Sequence, residues 1–406
     1  MTNEVKNVPE LRFPEFSSDW EEKNLKDISN KGMYGIGASA TEFDGKNVYV
    51  RITDINESSR KIDNDKLTSP DRLDKKYLLN ENDVLFARTG ASTGKTYIHK
   101  HYDRDKNYYF AGFLIKFAFN NNYLASFIFQ NTLTKRFENW VSVMSVRSGQ
   151  PGINSEEYGK LKMRFPNKVE QNKIGNFFTK LDRQIELEEQ KLAKLEEQKK
   201  GYMQKIFSQE LRFKDKNGNE YPKWEVIKLK DILSERKEYA SKIGNYPHAT
   251  LSTSGISLKS DRYNRDFLVK DKNKKYKVTI MNDICYNPAN LKFGVITRNH
   301  IGSVIFSPIY ITFEVNNAHS PLFIELLVTR NDFINRVRKY EEGTVYERMA
   351  VKPEDFLNYE TKIPCLEEQE KIGDFFSKLD KVINKQRQKI DELKLRKQGL
   401  LQKMFV

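Results

Sequence analysis

Hydrophobic positions along this chain follow two rhythms, and the change from one to the other occurs twice. From Ile174, steps of alternately four and three residues land on Phe178, Leu181, Ile185, Glu188, Leu192, Leu195, Lys199, Tyr202 and Ile206. From Ile372 the same stepping gives Phe376, Leu379, Ile383, Gln386, Ile390, Leu393, Lys397, Leu400 and Met404. Apolar residues at this spacing, flanked by Glu, Lys and Gln, predict two long coiled-coil helices. Both seams are interrupted at the same two places, Glu188 with Gln386 and Lys199 with Lys397. Polar seam residues sacrifice stability and fix register. At 1.5 Å per residue, a helix of roughly 39 residues is a rod about 58 Å long. The rest of the chain alternates short apolar runs with turns built on Gly, Asn and Asp. "KNVYVRIT", "NDVLFA", "FLIKFAF", "KVTIMND" and "IGSVIFSPIYITFEV" predict β-rich bodies with a few helices. "LASFIFQNTLTKRFENW" reads as one such helix, and "SPLFIELLVTRNDFINRV" as its counterpart.

That pairing of segments is general, because the chain is written twice. "EQNKIGNFFTKLDRQI" (170–185) recurs as "EQEKIGDFFSKLDKVI" (368–383), identical at eleven of sixteen positions and offset by 198. The same offset carries "KKGYMQKIF" (199–207) onto "KQGLLQKMF" (397–405). Upstream, "LRF" occurs at 11–13 and 211–213, a Trp-Glu…Leu-Lys-Asp-Ile pattern at 20–28 and 224–232, and "NDVLF" at 82–86 is echoed by "NDICY" at 282–286. The expected organisation is a first body (1–167), a helix (168–207), a second body (208–366) and a second helix (367–406). The expected fold class is α+β, two β-rich mixed bodies joined by two long heptad helices, with an internal pseudo-two-fold repeat. Such a chain is a covalent pseudo-dimer, so a fragment ending near Phe207 is expected to self-associate.

Charge adds a partner class. The net charge of +14, with charged residues at 31 %, favours a polyanion, since each phosphate neutralised by Lys or Arg releases a counterion. Two cysteines far apart, Cys285 and Cys365, suggest neither a disulfide framework nor a zinc ribbon and fit a reducing cytosol. No apolar signal region opens the chain and no run approaches a membrane span, so a soluble cytoplasmic protein is expected.

Catalytic motifs fail one by one. "RTGASTGKT" (88–96) resembles a phosphate loop, but Gly90 and Gly94 enclose three residues rather than four, and the second copy has "GVI" (294–296) where the first has "GKT". A turn that needs a glycine explains both copies. "NPAN" (287–290) lacks the second Pro and the aromatic of a methyltransferase loop. "YGIGASA" follows no buried strand, and Asp71 and Asp74 in "PDRLDKK" are too close together to come from successive strands of a nuclease. His99 and His101 are joined by no carboxylate or Cys cluster and read as surface loop residues, so no metal site is expected. What remains is recognition chemistry, because Arg pairs with guanine and Asn or Gln with adenine through bidentate bonds. The candidates are Arg88, Thr89, Ser92, Lys95, Arg147, Ser148 and Gln150 in the first half, and Asn287, Asn290, Lys292, Arg298, Tyr346 and Arg348 in the second.

The doubled "EQxKIGxFFxKLD", the tails "KxGxxQKxF" and the opener "LRFPEF…W" together resemble the specificity subunit of type I restriction–modification systems. "NDVLFARTGASTGK" and "YNPANLKFGVITRNHIGSVIFSPIY" are similar to recurrent variants of that family's target-recognition domain. The resemblance implies a non-catalytic reader of double-stranded DNA, each body taking half of a bipartite, asymmetric site and the helices pairing as an antiparallel coiled coil that acts as a ruler. It implies two methyltransferase subunits, which bring S-adenosylmethionine, and restriction subunits, which use ATP with Mg; this chain itself binds no cofactor. Helix residues implied in packing and subunit docking are Ile174, Phe177, Phe178, Leu181, Ile185, Leu192 and Leu195, with Ile372, Phe375, Phe376, Leu379, Ile383, Ile390 and Leu393.

Overall fold

The computed structural model describes residues 7–56, 59–100, 103, 105–241, 246–259, 275–340 and 350–406. It divides into two compact units, Met1–Lys194 with Lys385–Val406, and Leu195–Asn384. The division falls inside both long helices, Lys168–Phe207 and Leu366–Met404, so each unit holds one body and a segment of each helix. Within either unit the two segments run antiparallel. In the first, Asp182 pairs with Lys397 at 2.6 Å and Glu189 with Lys394 at 2.7 Å. In the second, Lys199 pairs with Asp380 at 2.5 Å. The matched seam lysines are therefore cross-helix ion-pair partners. Of the apolar seam, Ile174, Phe178, Ile185, Ile372, Phe376, Ile383 and Ile390 are buried, and Leu181, Leu192, Leu195, Leu379 and Leu393 are half-buried.

The bodies share a scaffold and differ beyond it. In the first unit a four-stranded antiparallel sheet has the order Met33–Tyr34, Leu114–Phe117, Val84–Ala87, Thr96–Ile98. In the second the same order is filled by Leu233–Glu235, Ile311–Val315, Ile284–Tyr286 and Ile296–Arg298. A strand pair follows suit, Glu21–Asn24 with Lys162–Phe165 and Glu225–Lys228 with Glu360–Ile363. The remaining strands correspond only in part: Tyr109 pairs parallel with Tyr49 and antiparallel with Leu78, as Ile305 pairs parallel with His248 and antiparallel with Val278, but the extent of these strands and their further partners differ. The first unit has a parallel pair, Asn47–Val50 with Asn107–Phe110, and an antiparallel pair, Ala40–Glu42 with Thr68–Pro70. The second has a three-stranded sheet (Tyr239–Ser241, Lys275–Thr279, Val304–Phe306) and a hairpin of Ala249–Ser252 with Gly255–Leu258.

The repeated "ND" explains part of the shared scaffold. Asn82 and Asn282 adopt φ of 72° and 73°, a left-handed turn that Asn tolerates better than most residues. The next residue, Asp83 or Asp283, is buried and accepts from a backbone amide, Asn80 at 2.8 Å or Ile280 at 2.9 Å. A buried carboxylate must be paired. Asp83 takes Lys116 at 3.1 Å, from within the Leu114–Phe117 strand, whereas Asp283 takes Arg236 at 2.8 and 3.0 Å, from just past the Leu233–Glu235 strand, so the cation arrives from a different segment in each body.

Where one helix is expected over 124–140 there are two, Ala125–Asn131 and Lys135–Met144, and the counterpart is likewise split into Pro321–Val328 and Asn331–Val337. The break has a local cause. The Thr132 and Thr134 hydroxyls donate to the carbonyls of Phe129 and Asn131, and Thr134 then caps the next helix by accepting from Phe137. Threonine hydroxyls compete with the helical ladder in this way.

Residues that the heptad pattern leaves out fasten each body to its helix. Glu170 is fully buried and accepts from Arg12 Nε and Nη2, both at 2.7 Å. Glu368, equally buried, accepts from Arg212 at 3.2 and 2.5 Å and from Trp224 Nε1 at 3.3 Å. The carboxylates hold both guanidinium pKa values above the ordinary arginine value. The next residue does a second job. Gln171 accepts from the Leu124 amide and donates to Pro166 O, while Gln369 accepts from Ser320 and donates to Pro364 O. Each thereby ties the start of a body helix to the start of a long one. The opener phenylalanines complete the joint, Phe13 edge-on to Phe177 and Phe213 to Phe375.

The repeated glycine of "KIGxFF" lies where the long helix crosses a body helix. A Cβ on Gly175 would sit 2.5 Å from Ser126 Oγ, and one on Gly373 would sit 2.8 Å from Leu322 Cβ. Alanine is favoured over glycine in a helix by about 1 kcal/mol, but overpacking costs about 1–3 kcal/mol. Gly373→Val, with two further methyls at that contact, is expected to lower stability by about 2 kcal/mol in urea unfolding. A Gly373→Ala variant more stable than the parent would show that the crossing is loose.

Candidate nucleic-acid interface

In the first unit the "TGASTG" turn joins strands Val84–Ala87 and Thr96–Ile98, with Gly90 and Gly94 at φ of 76° and 86°. Several of its amides are committed within the protein. Gly90 N donates to Pro151 O, Thr93 N to Gly90 O, Gly94 N to Ala87 O and Lys95 N to Ser92 O. Gly94 N also donates to the Tyr158 hydroxyl at 3.1 Å, and that hydroxyl donates to Ala87 O at 2.7 Å. Burial pushes the Tyr158 phenol far above its ordinary pKa, so it stays protonated as the clamp of this turn. A phosphate loop needs such amides free. In the second unit the equivalent turn also turns on a left-handed glycine, Gly294 at φ 76°, after a 3-10 helix over Pro288–Phe293.

The first-unit candidates separate into groups. Arg88 and Thr89 are joined to the 150–153 segment: Thr89 bridges Gly152, Ile153 N donates to Arg88 O, and a Cβ on Gly90 would meet Gln150 Nε2 at 2.9 Å. The Arg88 guanidinium lies 4.8 Å from the Tyr34 ring centroid, and Arg88 N donates to Phe113 O. The Phe113 side chain is 60 % exposed. Arg88, Thr89 and Gln150 therefore lie together beside Tyr34, with the exposed Phe113 adjoining Arg88 through its backbone. Ser92 and Lys95 face elsewhere, into a cleft of about 810 Å³ that is also lined by Lys61, Asp182, Glu186 and Lys397. The Lys95 ammonium donates to Ile55 O. Arg147 is exposed, but its guanidinium is held by both Glu157 oxygens and by Met144 O and Val146 O.

The second-unit candidates fare differently. Asn287 is buried, and its side chain caps the 3-10 helix by accepting from Ala289 N at 3.2 Å, so it is withdrawn from the surface. Arg298 donates to Glu325 at 2.9 Å and to Asn282 at 2.9 Å and is committed to holding sheet and helix together. These two side chains are used by the fold rather than offered to a ligand. Asn290 is half-buried, and Lys292 is exposed with its ammonium 5.1 Å from the Phe293 ring centroid. Phe293 is itself 64 % exposed. Tyr346 and Arg348 lie outside the described residues. Sequence reasoning missed Tyr34, Phe113 and Phe293, since nothing in a strand-like apolar run marks which phenylalanine faces water.

His99 is fully buried against Tyr108, with Nδ1 3.1 Å from the Tyr97 hydroxyl, and so is a core residue rather than the surface one expected. Among the described residues no three His, Cys, Asp or Glu side chains gather as metal ligands, and no helix is long and apolar enough to cross a membrane. Cys285 is buried and Cys365 half-buried, and both are free.

A family model described as the type I restriction modification DNA specificity domain matches twice, over residues 17–197 and 221–395. The chain belongs to that family. Its two bodies are the two target-recognition domains of a DNA-specificity subunit. The MjaVIII specificity subunit of Methanocaldococcus jannaschii is 21 % identical over 424 residues, covering 98 % of this chain and 93 % of that protein. A putative MjaX specificity subunit of the same organism is 27 % identical over 220 residues, 49 % of each chain. The crystal structure of a type I S subunit from M. genitalium shares the fold, with a TM-score of 0.60 at 15 % identity, 98 % of this chain and 99 % of that one being covered.

Proposed function

We propose that this specificity subunit reads a bipartite, asymmetric double-stranded DNA site, one half per unit, on behalf of two methyltransferase subunits that methylate adenine. The chain contributes recognition and no chemistry. S-adenosylmethionine, and ATP with Mg, belong to methyltransferase and restriction partners, and the assembly works in the cytoplasm. The long helices set the number of unread base pairs between half-sites and carry the docking surface for the partners. One observation carries the reading. A four-stranded scaffold of one strand order, built twice, carries outer strands of different extent and partners and different exposed side chains, which is what two readers of unlike sequences require.

Base contacts specify, whereas phosphate contacts bind all sequences alike. Arg88→Ala is therefore expected to relax choice at one position of one half-site by about 1–3 kcal/mol of discrimination, leaving the other half-site untouched. Lys292→Ala is expected to act on the opposite half-site. Mapping methylated adenines in cells carrying each variant measures both. Loss spread equally over the two half-sites would place the reading surface elsewhere.

A further inference from the structure

The helix pair carries two kinds of polar contact that differ in one respect. Asp182 with Lys397 and Asp380 with Lys199 are the same contact made twice, because each residue is 198 positions from its counterpart. Such a contact is indifferent to which copy of the helix supplies which partner. The contacts at the middle are not. Gln386 is 6 % exposed and donates to Glu188 Oε2 at 2.7 Å and to Glu188 O at 3.0 Å. These two residues are each other's counterparts in the repeat, so here a position faces itself. Lys389 also reaches Glu188, and Lys394 pairs with Glu189 at 2.7 Å. The amide and ammonium donors hold the Glu188 carboxyl below its ordinary pKa.

We propose that residues 188, 189, 386 and 394 form a charge code that makes the pairing heterotypic: the first helix accepts the basic mid-segment of a second helix and rejects another first helix. Two first helices in the same register would set Glu188 against Glu188 and Glu189 against Glu196, the counterpart of Lys394. Two second helices would set Lys394 against Arg387, the counterpart of Glu189, and would leave Lys389 without Glu188. Lys191, the counterpart of Lys389, would still find Glu188 in the first case, so the discrimination rests on the other positions. Like charges across a coiled coil are how such helices refuse wrong partners. The self-association expected of a first-half fragment is thus opposed at the centre of its own helix.

A protease site placed in the exposed Ser208–Glu210 link lets the folded full chain be cut after purification, leaving the halves in contact. Nicked samples of two distinguishable masses are mixed, loosened in mild urea, returned to buffer and weighed by native mass spectrometry. First-with-second pairs are expected to exceed same-with-same pairs by roughly tenfold over a random distribution, less so in high salt. The variant Gln386→Glu/Arg387→Glu/Lys394→Glu gives both helices equal charges and should re-sort towards random. Adding Glu188→Gln, Glu189→Arg and Glu196→Lys to that variant exchanges the code and should restore exclusivity, which separates a charge effect from misfolding. Random re-sorting of the parent overturns the proposal. So does exclusivity that survives the three-site change, since packing alone would then be the selector.

Discussion

Arg212→Met should destabilise the second unit by about 3–5 kcal/mol, the cost of leaving a buried carboxylate without its cation. Glu368 is fully buried, and Arg212 supplies two of its three side-chain donors, the third being Trp224 Nε1. Methionine keeps the length and apolar stem of the arginine, so lost packing is minor and the charge effect is isolated. The double variant Arg212→Met/Glu368→Gln should recover much of the loss, because a neutral amide is far cheaper to bury than an unpaired carboxylate. The equivalent change at Arg12 should act on the first unit through Glu170. Denaturant unfolding of the parent, Arg212→Met, Glu368→Gln and the double variant measures the cycle. An Arg212→Met loss below about 1 kcal/mol would mean that water already reaches Glu368 and that the pair behaves as a surface ion pair.

These arginines show how far the sequence could be read. The duplicated "LRF" and "EQ" were visible as repeats, but heptad stepping starts at Ile174 and gives Glu170 no role. Only a fold that brings residue 12 to residue 170 reveals why both recur. The long helices were legible because a seam sustained over several turns is a signal of high redundancy, and the sheet-rich bodies because their turns carry Asn-Asp and Gly. The break at Thr132–Thr134 was not legible, since apolar spacing continues across it while side-chain hydroxyls, which spacing ignores, end the ladder.

The candidate reading surface was legible only by type. Arg88, Thr89 and Gln150 come together because the turn at Gly90 packs on the 150–153 segment, a contact about sixty residues long in sequence. Arg298 has the same chemistry on paper and is spent on Glu325. A sequence lists donors; whether the fold has already used them depends on acids elsewhere in the chain. That is also why exposed aromatics such as Phe113 and Phe293 were missed: their exposure is a property of the neighbours they lack.

Phe405→Ala should unsettle the first body, although residue 405 belongs to the second copy of the repeat. Phe405 packs within ring-centroid distances of 5.0 Å of Phe127, 5.9 Å of Phe178 and 6.5 Å of Trp20, all in the first unit. Leu401 and Met404 of the same tail are buried in that core. The first copy's tail does the reverse. Phe207 stacks on Phe323 at 5.6 Å and meets Trp224 edge-on at 5.9 Å, both in the second unit. Each tail thus closes the core of the other copy's body. Removing a buried phenylalanine ring costs about 3–5 kcal/mol, and three aromatic neighbours place Phe405 toward the upper end. Hydrogen exchange can assign the loss to a unit. Phe405→Ala should speed exchange in the Val84–Ala87 strand while sparing Ile284–Tyr286, and Phe207→Ala should do the opposite. If Phe405→Ala loosened Ile284–Tyr286 and left Val84–Ala87 protected, the tails would be serving their own copies, and the crossed exchange would be wrong.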